Sequence, residues 1–294
     1  MKNPLILHVN YVEQGQSISE MCEKAVAWGY DGIEFRSKRS QRKYPELNET
    51  PEQYLDSIAE AVQKTGLKHV LFGGPGANLM SSDDKVREEA IEECITFFKM
   101  AAERFKLTVC NTMTGPLSTK AEPSYKYDKQ GSMIATPEQW EWAAEGFKTL
   151  GDLASKLGFR FAFETHMNYL HDLAESAKKL VDMIDKENVG INLDYCNIAC
   201  FPKPVSLSET ISICADRLYY VHLKNMFRLR NTPYNSFIAC GLGEGVINNR
   251  EFLRILKKKS YEGPLCLEAP GQGDREWFAK QDIAYIRMLL KELE

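Results

Sequence analysis

The sequence predicts a single (β/α)8 barrel over residues 1–294, and three observations carry that expectation. Continuous apolar runs rich in β-branched and aromatic residues alternate with helical patterns from one end of the chain to the other. In AWGYDGIEF, KTGLKHVLF and KLGFRFAF a glycine stops a helix in the left-handed conformation and the next strand begins within a few residues. No shift in composition and no Pro/Ser-rich linker divides the 294 residues, of which 44% are hydrophobic, and one barrel of about 250 residues plus loops accounts for them. A doubly wound open sheet is the alternative. It would carry a glycine-rich phosphate fingerprint after its first strand, and HVNYVEQGQS has none.

Taken in order, strands are expected near Leu5 to Val9, Asp31 to Phe35, Lys68 to Phe72, Leu107 to Asn111, Arg160 to Glu164, Val189 to Asp194, Leu218 to His222 and Leu265 to Glu268. Runs such as Arg160 to Phe163 and Val189 to Leu193 lack polar alternation, which marks strands buried on both faces and therefore parallel. Helices are expected at Ser17 to Trp28 (capped by Ser17 or Ser19), Pro51 to Thr65, Ser82 to Phe105, Pro137 to Leu157, Leu173 to Ile184, Leu207 to Ala215, Asn249 to Lys259 and Glu276 to Leu290. Thr50-Pro51 and Thr136-Pro137 each place a capping hydroxyl before a proline at the first helical position. Thr112 to Thr136 is the longest stretch without a confident element. With Tyr125 and Tyr127 it supplies a lid, a contact between copies in a homo-oligomer, or a solvated loop.

A formal net charge of -4 and a pI of about 5.9 give no basic field for nucleic acid or an anionic membrane, so small molecules are the expected partners. No apolar stretch reaches the length of a transmembrane helix, and MKNPLILHVNYVEQG lacks the regions of a signal peptide, so a cytoplasmic location is expected. The eight cysteines form no CxxC pair and read as reduced, buried small hydrophobes. Cys196 and Cys200 stand next to Asp194, but no second pair completes a tetrahedral zinc set.

Four polar residues end successive apolar runs in the second half of the chain: Glu164 in FAFETH, Asp194 in VGINLDYCN, His222 in LYYVHLKN and Glu268 in PLCLEAP. The C-terminal ends of barrel strands are where ligands gather, so these four converge. They are spaced by about one βα unit, the last interval lengthened by the loop from Asn225 to Val246. Three carboxylates and one imidazole suit a single catalytic divalent ion, Mn2+ first, with Mg2+, Co2+ or Zn2+ as alternatives. Such a site can stabilise an enediolate next to a carbonyl. Returning the proton elsewhere gives isomerisation or epimerisation, and loss of a β-hydroxyl gives dehydration.

These strand ends, FETH, NLDYCN, VHLKN and LCLEAP, together with GYDGIEF at the second strand, resemble the xylose-isomerase-like TIM-barrel superfamily of sugar phosphate isomerases and epimerases. The resemblance spans nearly the whole chain. It implies a metal held by Glu164, Asp194, His222 and Glu268, with Glu164 and Glu268 also serving as acid/base groups. It implies a divalent-metal-dependent isomerase or epimerase of a sugar, keto-sugar or related polyol. The alternative is a lyase or dehydratase acting on a keto-sugar, 3-keto-glycoside or inosose. Arg228 stands where ketose 3-epimerases place a substrate-binding arginine. Those epimerases have a glutamate and a histidine where this chain has Leu170 and Asn197. Apurinic endonucleases of the same barrel are a third class, but they need more histidines than the five present and a basic face.

Further residues carry two readings each. His166, two past Glu164, is an acid/base group or a hydrogen-bonded support. Glu34 binds substrate hydroxyls or pairs with Arg36. Asn197 binds substrate or forms a turn. Lys224 and Arg228, in LKNMFRLR, bind substrate or lie on a solvated face, which fits Arg230 better. His8 and Asn10 face the pocket or pack inside the barrel. His69 is placed at the barrel bottom, and His171 is expected to cap the following helix.

Overall fold

The computed structural model describes residues 1–229, 237–268, 271 and 273–294; Arg230 lies outside the described residues. In chain order the strands are β1 (Leu5–His8), β2 (Gly32–Arg36), β3 (His69–Gly73), β4 (Val109–Thr112), β5 (Arg160–Glu164), β6 (Val189–Asp194) and β7 (Leu218–Leu223), then β8 (Met226–Arg228), β9 (Phe237–Ala239) and β10 (Leu265–Leu267). All but β8 and β9 form a closed barrel, ordered β1-β10-β7-β6-β5-β4-β3-β2, in which each strand pairs in parallel with its neighbours. Leu5 opposite Leu265 closes the ring. β8 and β9 make a separate antiparallel hairpin.

The helices are α1 (Ile18–Trp28), α2 (Pro51–Thr65), α3 (Asp84–Arg104), α4 (Pro137–Leu157), α5 (Ala174–Ile184), α6 (Tyr195–Ala199), α7 (Leu207–Cys214), α8 (Asn249–Lys258) and α9 (Arg275–Glu292). Ser17, Thr50 and Thr136 cap α1, α2 and α4, with Glu20, Gln53 and Gln139 completing each capping box. Gly29, Gly66 and Gly158 end the same three helices at φ 87°, 71° and 78°, a conformation that costs other residues energy. Expected and observed elements therefore differ by a residue or two at their ends. Among the described strands and α-helices, those not anticipated are α6, which starts directly after Asp194, and the two strands β8 and β9.

Residues 113–136 are ordered by bonds between parts of the segment far apart in sequence and by contacts with residues outside it. Leu117 N–H donates to Asn168 O, and Gly131 N–H to Leu117 O. The buried Gln130 side chain accepts from Thr119 N–H at 2.7 Å and donates to Glu122 O at 3.2 Å. All eight cysteines are free and buried. No helix among the described residues is long and apolar enough to cross a membrane.

Two hydrophobic regions hold the barrel. The larger fills the space between strands and helices, with Phe35, Phe72, Phe98 and Phe161 among its side chains. The smaller plugs the barrel itself and consists of Ile6, Leu71, Val109, Ala162, Tyr220 and Cys266. Side chains alternate between the two faces of a strand, so the residue two positions on from a plug residue also points into the barrel, one layer higher. Those residues are His8, Gly73, Asn111, Glu164, His222 and Glu268. Glu34 and Asp194 belong to the same layer, pairing in register with His8 and His222. One alternation thus sets a dry floor and a polar layer above it.

Candidate metal centre

Glu164 ends β5, Asp194 ends β6, His222 lies near the end of β7, and Glu268 follows β10. One donor atom from each lies within 4.8 Å of the others. Asp194 is also the first residue of a turn into α6: its Oδ1 accepts from Cys196 N–H at 2.9 Å and Asn197 N–H at 3.3 Å, which leaves Oδ2 for the centre. Asn197 Nδ2 donates to Glu164 Oε1 at 2.9 Å and to Thr165 O at 3.0 Å. Asn10 Nδ2 donates to Glu268 Oε1 at 3.0 Å, and His8 Nε2 stands 3.7 Å from the same oxygen. His222 Nε2 is 2.9 Å from Glu34 Oε2, an oxygen that also accepts from the Tyr220 hydroxyl. A proton on Nε2 donated to Glu34 leaves the Nδ1 lone pair for the centre, the usual way a carboxylate orients a ligating histidine.

Whether these residues suit an ion can be judged from their unsatisfied atoms. Asp194 Oδ2, His222 Nδ1 and Glu268 Oε2 are buried and make no hydrogen bond of good geometry among the described residues, although His222 Nδ1 and Glu268 Oε2 lie 2.8 Å apart. Buried polar atoms without partners are costly, and three turned to one point are rare. The Lys224 ammonium stands among them, 2.7 Å from Asp194 Oδ2, 3.0 Å from Glu268 Oε2 and 3.2 Å from Glu164 Oε1. It donates a hydrogen bond to Glu164 Oε1 and makes charge contacts with the other two, a stand-in cation for the centre. The donor set, three carboxylates and one imidazole, fits Mn2+, Mg2+, Co2+ or Zn2+. Cys200 Sγ is directed to Cys196 O at 3.4 Å and Met226 Sδ at 3.6 Å.

The electrostatics follow from burial and opposed charge. Burial would raise the Glu164 carboxyl, but Lys224 and His222 outweigh it and hold it at about 2. Burial likewise acts upward on Glu268, where His8 and Lys224 prevail and leave it well below the ordinary range. For Asp194 burial wins over Lys224 and the carboxyl rises to about 6. Burial lowers His222, yet Glu34 and Glu164 raise it further.

The other residues singled out from sequence are placed as follows. His166 is partly exposed, with Nδ1 2.9 Å from Met167 O and its ring edge-on to Tyr169. Tyr169 in turn lines a cavity of about 730 Å³ that opens over His8 and Glu34 on the β1–β4 side. Glu34 faces His222 and Tyr220, while Arg36 is taken by Glu13 and Asn10. Lys224 joins the cluster. Arg228 lies in the exposed β8–β9 hairpin, donating to Ala199 O at 3.2 Å with its guanidinium over Phe237. His171 does not cap α5, whose first turn follows Leu173. It is fully buried, with Nδ1 2.5 Å from Glu164 O and Nε2 accepting from Thr114 N–H, so it fixes the backbone that carries Glu164.

Two features of the cavity went unread in the sequence. Asn111 sits in the polar layer two residues past Val109, and its strand alternation would have found it. The basic run RSKRSQRK after β2, which brings Arg36, Lys38 and Arg39 to the cavity wall, was visible in the composition of that loop.

Comparison with known proteins adds the following. The pattern of the family described as xylose isomerase-like TIM barrel matches residues 22–289. An inosose dehydratase of Clostridium perfringens is 25% identical over 152 residues, 47% of this chain and 50% of that protein. The chain therefore matches about half the length of that curated relative. Among solved structures, a xylose isomerase-like TIM barrel protein from Mycobacterium smegmatis in complex with magnesium superposes with a TM-score of 0.75 at 17% identity, covering 99% of this chain and 97% of that one. A 3-keto-D-glucoside 4-epimerase from E. coli superposes with a TM-score of 0.73 at 14% identity, covering 98% and 100%.

Proposed function

We propose, from the premise that the chain belongs to the xylose isomerase-like TIM-barrel family, that it is a divalent-metal-dependent enzyme moving a proton next to the carbonyl of a sugar, keto-sugar or related polyol. Isomerisation or epimerisation is the outcome. The observation that carries this reading is the convergence of Glu164, Asp194, His222 and Glu268, three of whose donor atoms are buried without a hydrogen bond of good geometry among the described residues, beside the Lys224 ammonium. These four would hold the ion, Mn2+ in the first instance. When bound there, it supplies Lewis-acid polarisation of a carbonyl and so acidifies the adjacent C–H.

The chain's own groups supply the proton transfers. Glu164 and Glu268 are both held ionised at neutral pH, so either carboxylate can take the C–H proton while its electron pair moves into the neighbouring C–O system. Return of a proton to the adjacent carbon isomerises the substrate, and return to the opposite face of the same carbon epimerises it. Asn197 fixes the Glu164 carboxylate through Oε1. Lys224 is within reach of the developing charge on the substrate oxygen. His166, at the mouth, exchanges a proton with a substrate hydroxyl.

Dehydration is the second reading, in which a β-hydroxyl leaves as water after the same proton abstraction. It is supported by the inosose dehydratase relative. It is supported too by Leu170, which is fully buried, and by Asn197, which is committed to Glu164, where ketose 3-epimerases carry a glutamate and a histidine. The test is to load the protein with Mn2+ and incubate it in D2O with a panel of ketoses, keto-glycosides and inososes, following products by NMR. Deuterium at carbon with unchanged composition supports isomerisation or epimerisation, and loss of water supports dehydration. Absence of exchange across the panel, with the metal bound, counts against proton transfer next to a carbonyl.

A further inference from the structure

The cavity beside the candidate metal centre has two ends of unlike charge. At the inner end stand Glu34 and His8, which adjoin the candidate metal ligands His222 and Glu268 at 2.9 and 3.7 Å. The lining carries one acidic residue, Glu34, and its carboxylate is engaged by His222 and Tyr220. The outer wall is formed by the loop after β2, where Arg36, Lys38 and Arg39 line the space together with the chain from Ser40 to Gln41. Arg36 pairs with Glu13, and Arg39 makes a forked contact with Glu49 at 3.2 and 3.3 Å. Those partners fix the two guanidiniums. Lys38 is exposed and has no ion pair among the described residues, so the wall keeps a surplus of positive charge.

Asn111 on β4, in the same layer as Glu34 and His8, also lines the cavity. It is 6% exposed, and its Oδ1 has no hydrogen-bond partner among the described residues. An unpaired buried acceptor on a cavity wall calls for a donor from a ligand. The lining thus holds three cations against one engaged carboxylate, with an unpaired acceptor beside them. A neutral sugar would leave Lys38 without a counter-charge.

We infer that the substrate carries an anionic group, a carboxylate or a phosphate, which Lys38 binds beside the Arg36 and Arg39 guanidiniums at the cavity's outer end while its carbonyl end faces the four candidate metal ligands. Asn111 Oδ1 accepts from a substrate hydroxyl. This inference rests on the proposed function for the position of the carbonyl end, and it adds the charge class of the substrate. Guanidinium and ammonium groups recognise carboxylate and phosphate alike, so the loop sets the charge and leaves the choice between the two anions open to measurement.

The test uses the Mn2+-loaded protein and three probes, D-fructose, D-fructose 6-phosphate and 5-keto-D-gluconate, with binding measured by calorimetry at low and high NaCl. At least one anionic probe should bind roughly 10–100-fold more tightly than D-fructose, with the advantage shrinking as salt rises. The phosphate and carboxylate probes separate the two anions. Lys38→Glu and Arg39→Met should each erode that advantage, with Mn2+ affinity serving as the check that the variants are folded. Equal affinities for neutral and anionic probes overturn the inference. So does an anionic advantage that both variants leave intact, or no binding of either anionic probe at millimolar concentration. Charge selectivity without deuterium exchange from any probe would sink the proton-transfer reading alone, whereas exchange without selectivity would sink this inference alone.

Discussion

Replacing Lys224 with methionine keeps most of the stem and removes the ammonium that stands 2.7 Å from Asp194, 3.0 Å from Glu268 and 3.2 Å from Glu164. The side chain is 19% exposed, so solvent compensates little for its loss. Removing one partner from a buried ion pair costs about 3–5 kcal/mol, because the remaining charge stays buried and uncompensated. Without metal the variant should lose about that much in urea unfolding. A divalent ion added to the protein takes over the same work, and in the parent chain it has first to displace the ammonium. If the displacement costs even about 3 kcal/mol, Lys224→Met binds Mn2+ on the order of 100-fold more tightly than the parent. Calorimetric titration of both metal-free proteins with Mn2+, beside urea unfolding in chelator, reads the two effects separately. A variant as stable as the parent without metal, with equal or weaker Mn2+ affinity, refutes the view that Lys224 and the ion share one position.

Three other outcomes are expected. Glu34→Gln removes the carboxylate that orients His222 and should lower Mn2+ affinity about 10–100-fold with the fold intact, measured by the same titration; unchanged affinity would mean that another contact sets the imidazole. Glu268→Gln should weaken Mn2+ binding and stop deuterium incorporation, and a variant that keeps both has no use for that carboxylate in the chemistry. Asp282 accepts from Tyr11 O–H and Leu242 N–H, each at 2.7 Å, yet burial lifts its carboxyl from 3.8 to about 6. Folding favours its protonated form, so its stabilising contribution is complete below the unfolded value and is lost as pH rises through about 6. Asp282→Asn stays neutral and should gain on the parent by about 1.5 kcal/mol between urea unfolding at about pH 5 and at about pH 8; a difference independent of pH would show that Asp282 does not titrate in this range.

Much of the barrel is legible in local signals because those signals are chemical. A capping threonine followed by proline at 136–137, and a glycine such as Gly158 at the helix end, act over a few residues and need no tertiary partner. The hairpin β8–β9 and helix α6 were missed because both are short and lie next to the site. α6 is started by Asp194, whose Oδ1 is fixed by two backbone N–H groups. The loop 113–136 looks unstructured in sequence because its ordering bonds, Leu117 to Asn168 and Gly131 to Leu117, join residues far apart in the chain.

What the sequence determined by itself is the alternation of strand and helix and the identity of the polar residues at the strand ends, since apolar periodicity and capping chemistry are local. Tertiary structure decided which of those residues share a layer. Alternation along β4 marks Asn111 as an interior residue, but that it and His8 share a ring with Glu164, His222 and Glu268 follows only once the barrel has closed. Closure also turned Glu34 toward His222 and brought Lys224 among the three carboxylates. The distance between two side chains on different strands depends on strand stagger and twist, which no stretch of a few residues specifies.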